Sequence, residues 1–465
     1  MSRKQPKTLQ LVQEYQTRLQ GNKNREAREV CEAKAEVEVD VAIVGGGIAG
    51  MLTAYRILQK HSTWRVLVFE QSSKAGGRTK SGVFCKHKVA MGAGVGRSHK
   101  DKLLASLLAE VNMELVLMPQ SSSAPDKQQQ RLQKLVDFAK NLTEDKDMSF
   151  KHFAQQILGT QEFQAFVDQM GFTDMLQASA RQTMNYYGLD DNVKSWSAFV
   201  VQWDALVKKL ADFVGKTTFA KLHSTCSSGL VTNTKVLDMS VCQETNSIVL
   251  QIATGFNTQP QNLVVRSKHV VLATSISGLK QLLPSKVVKC SKLHFVKSQP
   301  FARVYAKVAS QDRALMQTAV QKYRVVSPSI LMKVREISAQ DGVYMLAYAD
   351  NTSARRLFKT LSGAYQASQD PKATRVARLS LEAVVAKALN VVVKITSFKL
   401  FWFEEGTHFY RKGLPLEFEM QPFADLSGAW HGSPNVFVVG EAVAKMQGWT
   451  EGVIESVHAA VKALP

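Results

Sequence analysis

At 465 residues with 45% hydrophobic content, the chain can bury a sizeable core, and its length suits two or three domains better than one. No apolar run is long enough to span a bilayer and the N-terminus lacks the apolar core of a secretory signal, so a soluble, cytoplasmic protein is expected. The net charge of +20 favours a non-specific anionic partner, nucleic acid or an acidic surface, yet the interspersed Lys and Arg form no basic stripe with interleaved aromatics of the kind single-strand binders use.

Residues 1–36 are polar and rich in Lys, Arg, Gln and Glu, and read as a basic arm in which Leu9, Val12, Tyr15 and Leu19 recur at near-helical spacing. The pattern changes at Val39–Gly50, whose apolar run predicts a buried parallel strand turning into a helix at Gly45, Gly47 and Gly50. Gly45 permits the tight turn, Gly47 removes the side chain that would block a pyrophosphate, and Gly50 lets helix and strand pack closely. The helix from Met51 to Lys60 points its N-terminal amides at those phosphates. A second strand-like run, Trp64–Phe69, ends in Glu70, about 20 residues beyond the last glycine, where an acid would take the ribose hydroxyls. Lys74-Ala-Gly-Gly-Arg-Thr-Lys-Ser81 follows at once, and a nicotinamide-binding fold has no need of this second glycine pair. Cys31, Cys85, Cys226, Cys242 and Cys290 are scattered without metal-ligand spacing, so reduced thiols are expected, with neither zinc nor a disulfide framework.

The run from Glu70 to Ser81, with Gly76, Gly77, Arg78 and Ser81 in matching places and Lys74 where the motif begins with arginine, resembles the second glycine motif of the flavin-containing amine oxidases. That group includes monoamine, polyamine and L-amino-acid oxidases. The resemblance implies an α/β protein: a Rossmann-like FAD-binding domain (37–100, 215–295 and 425–465) with an inserted α+β substrate domain (101–214 and 296–424). It further implies FAD as cofactor, an amine or amino acid as substrate, and oxygen as acceptor with release of hydrogen peroxide.

Further along, Gly82–Val89 is expected as a strand, and Gly92 and Ala93 fit the small pair that the family lays against the flavin ring. Ala90 stands where the family commonly carries an acid. Arg97 resembles an arginine that amino-acid oxidases use to hold a substrate carboxylate, with a phosphate or surface role as the alternative. Helical patterns begin at Asp101, with Leu103, Leu104, Leu107 and Leu108 on one face and Leu132, Leu135, Val136 and Ala139 on another, a mobile polar loop expected over Ser121–Gln130 between them, and a further helix over Trp196–Val214. Strands return at Gly229–Val236, Ser247–Ile252 and Val264–Ala273; Val236 falls where the family lays backbone against the adenine, and Ser275 replaces a proline. Phe301–Lys307 alternates as a strand with Arg303, Tyr305 and Lys307 on one face. The family often places a lysine there, bound through water to the reactive flavin nitrogen, and Arg303 and Lys307 are both candidates for it.

The aromatic run Phe401–Tyr410 corresponds to a stretch that brings an aromatic residue over the flavin, with Tyr410, Phe409 and His408 as candidates. The closing motif, Asn435–Glu441 and Gly448–Ser456, resembles the family's FAD-binding end. By that resemblance Gly440 and Glu441 bind the ribityl and pyrophosphate, Gly452 and Val453 start a helix aimed at the flavin pyrimidine, and Trp449 faces substrate. Val457 stands where the family has glycine. Tyr348-Ala-Asp350 and Gly406-Thr-His408 resemble amine oxidoreductase-like proteins of large DNA viruses, which adds a virion-associated setting to the expected location. Catalysis would rest on Tyr410, Trp449 and the Arg303 or Lys307 cation, without a triad or metal. A flavoenzyme acting on carbon–carbon bonds and a degenerate flavoprotein with a structural or nucleic-acid-associated role are the alternatives.

Overall fold

The computed structural model describes residues 35–121, 123–215, 228–242, 244–254, 261–323, 325–326, 328–366, 371–427 and 436–465. The stripe Leu9, Val12, Tyr15 and Leu19 of the expected arm, the thiols Cys31 and Cys226, and Asn435 lie outside the described residues.

The strand Val37–Val44 carries Glu38 and Asp40 in its first half, where one face reaches solvent, and is apolar from Val41 on, where both faces are covered. Val41 and Ile43 pack under the helices Ile48–Lys60, Lys102–Glu110, Trp203–Val214 and Thr450–Ala463, while Ala42 and Val44 face a second core beneath Ile276–Leu282. Each fully buried Val or Ile of this kind contributes about 1.5–3 kcal/mol. The strand pairs in parallel with Gln261–Leu272 on one side and Val66–Phe69 on the other. Gly229–Val231 and Val436–Val438 extend that parallel array, and Ala424–Asp425, Thr234–Cys242 and Ser247–Thr254 complete an eight-stranded sheet in antiparallel pairings.

A second, antiparallel sheet runs in the order Arg335–Ser338, Val343–Asp350, Val296–Val308, Ile395–Tyr410. Helices Asn351–Gln366 and Pro371–Leu389 contribute to its apolar core. The helices Asp126–Ala139, Phe150–Leu158 and Thr160–Met170 build a further core around Leu135, Phe150 and Phe166. A π-helical turn, Thr183–Tyr187, leads out of that block.

Local expectations change in several places. Gly229–Val236 is broken at Asn233, which takes φ 53°, into Gly229–Val231 and Thr234–Cys242, and the loop expected over Ser121–Gln130 gives way to helix at Asp126. Gly82–Val89 is a hairpin rather than one strand, because Cys85 and Lys86 take φ values of 47° and 71° and reverse the chain between Ser81–Phe84 and His87–Ala90. The helix expected from Trp196 begins at Trp203, since Ala198–Val200 is taken up as a strand between Val95–Arg97 and Val116–Leu117. Among the described residues no helix is long and apolar enough to cross a membrane.

Candidate functional site

Three glycine-bearing turns converge where the first sheet meets the second. Gly45 leaves its strand at φ 109°, and a side chain there would meet the Ala273 carbonyl oxygen at 2.5 Å. A Cβ on Gly50 would stand 1.9 Å from the Gly45 carbonyl oxygen, so the helix Ile48–Lys60 can start this close to its strand only with glycine. Gly47 differs from both: nothing lies within 4 Å of where its Cβ would be. It is also the N-cap of that helix, with no side-chain cap and no acidic residue in the first turn. First-turn amides and the dipole end therefore open onto free space, the arrangement that binds an anion.

Glu70 ties the neighbouring turn to this one. Its Oε2 accepts from Gly46 N–H and its Oε1 from Ser72 N–H, each at 2.8 Å. Gly76 N–H donates to the Gly46 carbonyl at 2.8 Å, and Gly47 and Gly76 form a parallel bridge. The Arg78 carbonyl accepts from Ala93 N–H at 2.9 Å, which draws the Gly92-Ala93 pair alongside.

Glu441 is the hub of the closing motif. It receives the Arg78 guanidinium at 2.7 Å, His408 N–H at 2.8 Å and Gly448 N–H at 2.9 Å, and it pairs with the His408 ring through Nδ1. His408 Nε2 accepts from Ile276 N–H at 3.2 Å, so the ring proton sits on Nδ1 and points at the carboxylate. Burial would raise the Glu441 carboxyl, but His408, Arg78 and the backbone donors outweigh it and hold the group well below the usual carboxylate range.

These turns line one cavity of about 1770 Å³ that runs on between the second sheet and the helical block. The far wall carries a separate charged group. Asp350 accepts from Thr173 N–H at 2.8 Å, Thr173 Oγ1–H at 2.5 Å and Asp174 N–H at 3.1 Å. Asp174 accepts from the Tyr187 hydroxyl at 2.5 Å, and Tyr187 is delivered by the π-helical turn. Lys333 Nζ donates to Asn192 Oδ1 at 3.1 Å and lies 3.5 Å from the centroid of the Phe172 ring. Burial, and then the Asp350 charge, push Asp174 up to about 7. Burial brings Lys333 down to about 7 against the pull of Asp174 and Asp350.

Of the residues singled out by sequence, Gly45, Gly47, Glu70, Gly76, Gly77, Arg78, Gly92, Ala93, Val236, Arg303, Tyr410, Gly440, Glu441, Trp449 and Val453 line this cavity. Gly50 and Gly452 do not; both are pressed against backbone behind it, with a Cβ on Gly452 falling 2.3 Å from the Met446 carbonyl oxygen. Lys307 is outside the lining as well, opposite Val343 and Ser397 on its strand. Arg303 is buried, 4.4 Å from the Tyr348 ring centroid, with a bond to the Tyr305 hydroxyl at 3.5 Å and no partner for its Nε among the described residues. The Tyr410 hydroxyl is likewise buried without a partner, and burial followed by the Glu441 charge raises it well above its ordinary value. Trp449 lies beneath the Arg97 guanidinium at 3.7 Å, and Arg97 is fully committed to Asp101 and Asp191. Phe409 and His408 also line the cavity.

Sequence reasoning named Asp350 only within a motif and passed over Asp174, Tyr187 and Lys333. No spacing signal joins them.

The family described as an NAD(P)-binding Rossmann-like domain matches residues 43–111. A redesigned putrescine oxidase superposes with a TM-score of 0.64 at 14% identity, covering 92% of this chain and 98% of its own. Cyclohexylamine oxidase from Brevibacterium oxydans gives 0.62 at 14% identity over 91% and 98%. A protein of Exiguobacterium sp., provisionally designated a protoporphyrinogen oxidase, gives 0.60 at 11% over 91% and 98%. At these identities the likeness is one of fold, and the fold is the one the amine oxidase resemblance implies. An uncharacterized protein of Acanthamoeba polyphaga mimivirus is 31% identical over 91 residues, 19% of this chain and 18% of that protein, so the chain spans less than a fifth of the length of the curated relative it matches.

Proposed function

We propose that this chain is an FAD-dependent oxidoreductase that converts an amine or amino acid to the imine with oxygen as acceptor, releasing hydrogen peroxide. Residues 37–100, 215–295 and 425–465 would form its FAD-binding part, and 101–214 and 296–424 its substrate part. The observation that carries the reading is the open cradle at Gly47, bounded by the turns at Gly45, Gly76 and Gly440 and continuous with a charged chamber. A Cβ at Gly47 would enter that space, so the residues present fit a dinucleotide.

When bound, FAD would supply a two-electron acceptor for the hydride equivalent beside nitrogen and a route for those electrons to oxygen. The helix Ile48–Lys60 would hold the pyrophosphate, Glu70 the ribose hydroxyls, Val236 the adenine through its backbone, and Glu441 the ribityl chain, its charge already balanced by Arg78 and its oxygens hydrogen-bonded by His408. Gly92, packed against the Arg78 backbone, and Ala93 line the cavity and would lie against a flat ring. Val453, beside Gly452 on the first turn of Thr450–Ala463, would set a positive dipole end against negative charge on that ring. Arg303 rather than Lys307 reaches the cavity and would act near the reacting centre. Trp449, fixed by Arg97, and Tyr410 would orient the substrate and exclude water. Oxidation at carbon–carbon bonds is the second reading, favoured by the designation of the Exiguobacterium neighbour. The charged chamber wall favours a polar amine, since a purely apolar substrate would leave Asp174 and Lys333 desolvated.

Purified protein is expected to be yellow and to release peroxide with members of an amine and amino-acid panel; a colourless preparation that takes up no added FAD would remove the reading. Trp449→Ala should cut turnover by about 100-fold or more through lost positioning while the flavin absorbance is retained. Undiminished turnover would take Trp449 out of the substrate site.

A further inference from the structure

We propose that the surface carrying Lys280, Lys289, His294, Lys297 and Arg411 is a binding site for the phosphate backbone of nucleic acid. It is independent of the flavin reading. Between Glu244 and Asp312 the chain has nine Lys and Arg and not one Asp or Glu, in a protein whose whole net charge is +20. Such a run loads one stretch of surface with cations wherever its apolar residues turn inward.

The fold then gathers them. Leu279, Leu282, Leu283, Val287, Val288 and Leu293 pack into the first core, which leaves Lys280, Lys286, Lys289, His294 and Lys297 on the outer face of the helices Ile276–Leu282 and Ser285–Lys289 and of the turn that follows. The end of the long strand Ile395–Tyr410 pairs with Val296, and Arg411 N–H donates to the Phe295 carbonyl at 2.9 Å. This carries a cation from a distant segment into the group, where the Arg411 guanidinium meets the His294 ring.

The gathering is electrostatically uncompensated. Besides burial, the groups that lower His294 are Arg411, Lys297, Lys280 and Lys289, all cations. Lys280 is lowered by burial and by Lys297 and Arg411, with Glu405 the one acid acting the other way. Among the described residues no ion pair involves Lys280, Lys286, Lys289, Lys297 or Arg411. Like charges held together on a rigid scaffold, with Glu405 the one acid acting on Lys280, are a ready site for a polyanion, whose release of condensed counterions supplies the affinity.

The rest of the surface decides among polyanions. None of the exposed large apolar side chains falls between Ser275 and Asp312, with Leu416 and Met420 exposed only beyond Arg411, so the segment that supplies most of the cations offers no wedge for a lipid surface and no anchor for a protein partner. Long cations alone suit regularly spaced phosphates read without sequence preference.

The test measures fluorescence anisotropy of a labelled DNA duplex of arbitrary sequence with the full-length chain across a salt series. The four permanent cations Lys280, Lys289, Lys297 and Arg411 predict a log–log salt slope of about −3.6. The combined variant Lys280→Gln, Lys289→Gln, Lys297→Gln, Arg411→Gln should therefore remove most of that slope and weaken binding at low salt by about 10-fold or more. A matched variant with the same loss of charge elsewhere, Lys134→Gln, Lys151→Gln, Lys209→Gln, Lys359→Gln, should stay within about 3-fold of the parent, as these exposed residues lie outside the patch. The single variants Lys289→Glu and Lys297→Glu, which leave the buried face untouched, should each weaken binding. Equal losses in the two combined variants, absence of binding by the parent, or capture of phosphatidylserine vesicles with no affinity for DNA would each overturn the assignment.

Discussion

At its glycine end the cavity is shaped by backbone: the turns at Gly45, Gly47 and Gly76 are tied to one another and to the first sheet and leave the start of Ile48–Lys60 open, and the acid beside them, Glu70, is already tied to Gly46 and Ser72. At its far end it is shaped by side chains. Asp174 and Tyr187 come from the helical block, Lys333 from the two-stranded ribbon of Val325–Val326 and Met332–Lys333, and Asp350 from the second sheet, with Thr173 and Asp350 meeting across 177 residues of chain. The first end is defined by what must be absent, a Cβ. The second is defined by charges that must be present and share one field.

The comparison can be broken hardest at Gly50. Gly50→Ala puts a methyl 1.9 Å from the Gly45 carbonyl oxygen, a backbone atom that cannot step aside, so the cost should reach or exceed the roughly 1–3 kcal/mol of an overpacked core. Loss of thermal stability and of any bound flavin together are expected. Gly47→Ala sharpens the point, because its new methyl meets nothing within 4 Å. The stability of the flavin-free protein should be unchanged while flavin retention falls. If both variants behave alike in thermal denaturation and flavin content, the distinction between packing and ligand space at this turn is lost.

The same contrast explains what could be read ahead of the coordinates. Gly45, Gly47 and Gly50 lie within six residues and Glu70 about 20 beyond, so local spacing alone announces the first end. Strand alternation placed Arg303 and Lys307 on one face but carries no information on depth. The strand Val296–Val308 is 13 residues long and the cavity reaches only one part of it, so Arg303 lines it and Lys307 does not. Asp174 and Lys333 had no signal at all, since each is an ordinary polar residue until the fold encloses it. Arg97 reads in sequence as a free guanidinium available to a carboxylate. Its partners, Asp101 and Asp191, are visible only once the helical block folds back.

An intermediate effect is expected at Glu441, which joins the two ends through Arg78 and His408. Glu441→Gln keeps an acceptor for His408 and Gly448 N–H but removes the charge, leaving Arg78 with the Gly406 carbonyl at 3.0 Å. Breaking such a pair costs about 3–5 kcal/mol when both partners are buried, and about 2 kcal/mol is expected here because Arg78 is partly exposed. Chemical denaturation of the flavin-free protein measures it. A loss near zero would mean the carboxylate serves the ligand alone.

The smallest effect belongs to the far wall, where the test is pH. Asp174 has an ordinary value of 3.8 and is pushed up to about 7, so between those values the folded state holds a proton the unfolded chain has released. Stability from this group is complete below 3.8 and is lost as pH rises to about 7. Asp350, raised by burial, acts in the same sense. Lys333 is lowered from 10.5 to about 7, so its contribution is present above 10.5 and lost as pH falls to about 7. The two limbs meet in a stability minimum near neutrality. Each limb should be shallow, about 1 kcal/mol, because both groups face the cavity and keep some solvent. Thermal unfolding across that range should show Asp174→Asn flattening the acid limb and Lys333→Met the alkaline one. At the glycine end Glu441 acts in the opposite sense: it is lowered rather than raised, so its stabilisation is present above 4.5 and fades only on acidification. An acid limb left unchanged by Asp174→Asn combined with Asp350→Asn, or an alkaline limb left unchanged by Lys333→Met, would have to arise elsewhere, as at Lys292, which burial lowers to about 7, and the far wall would lose its standing as a pair of opposed charges.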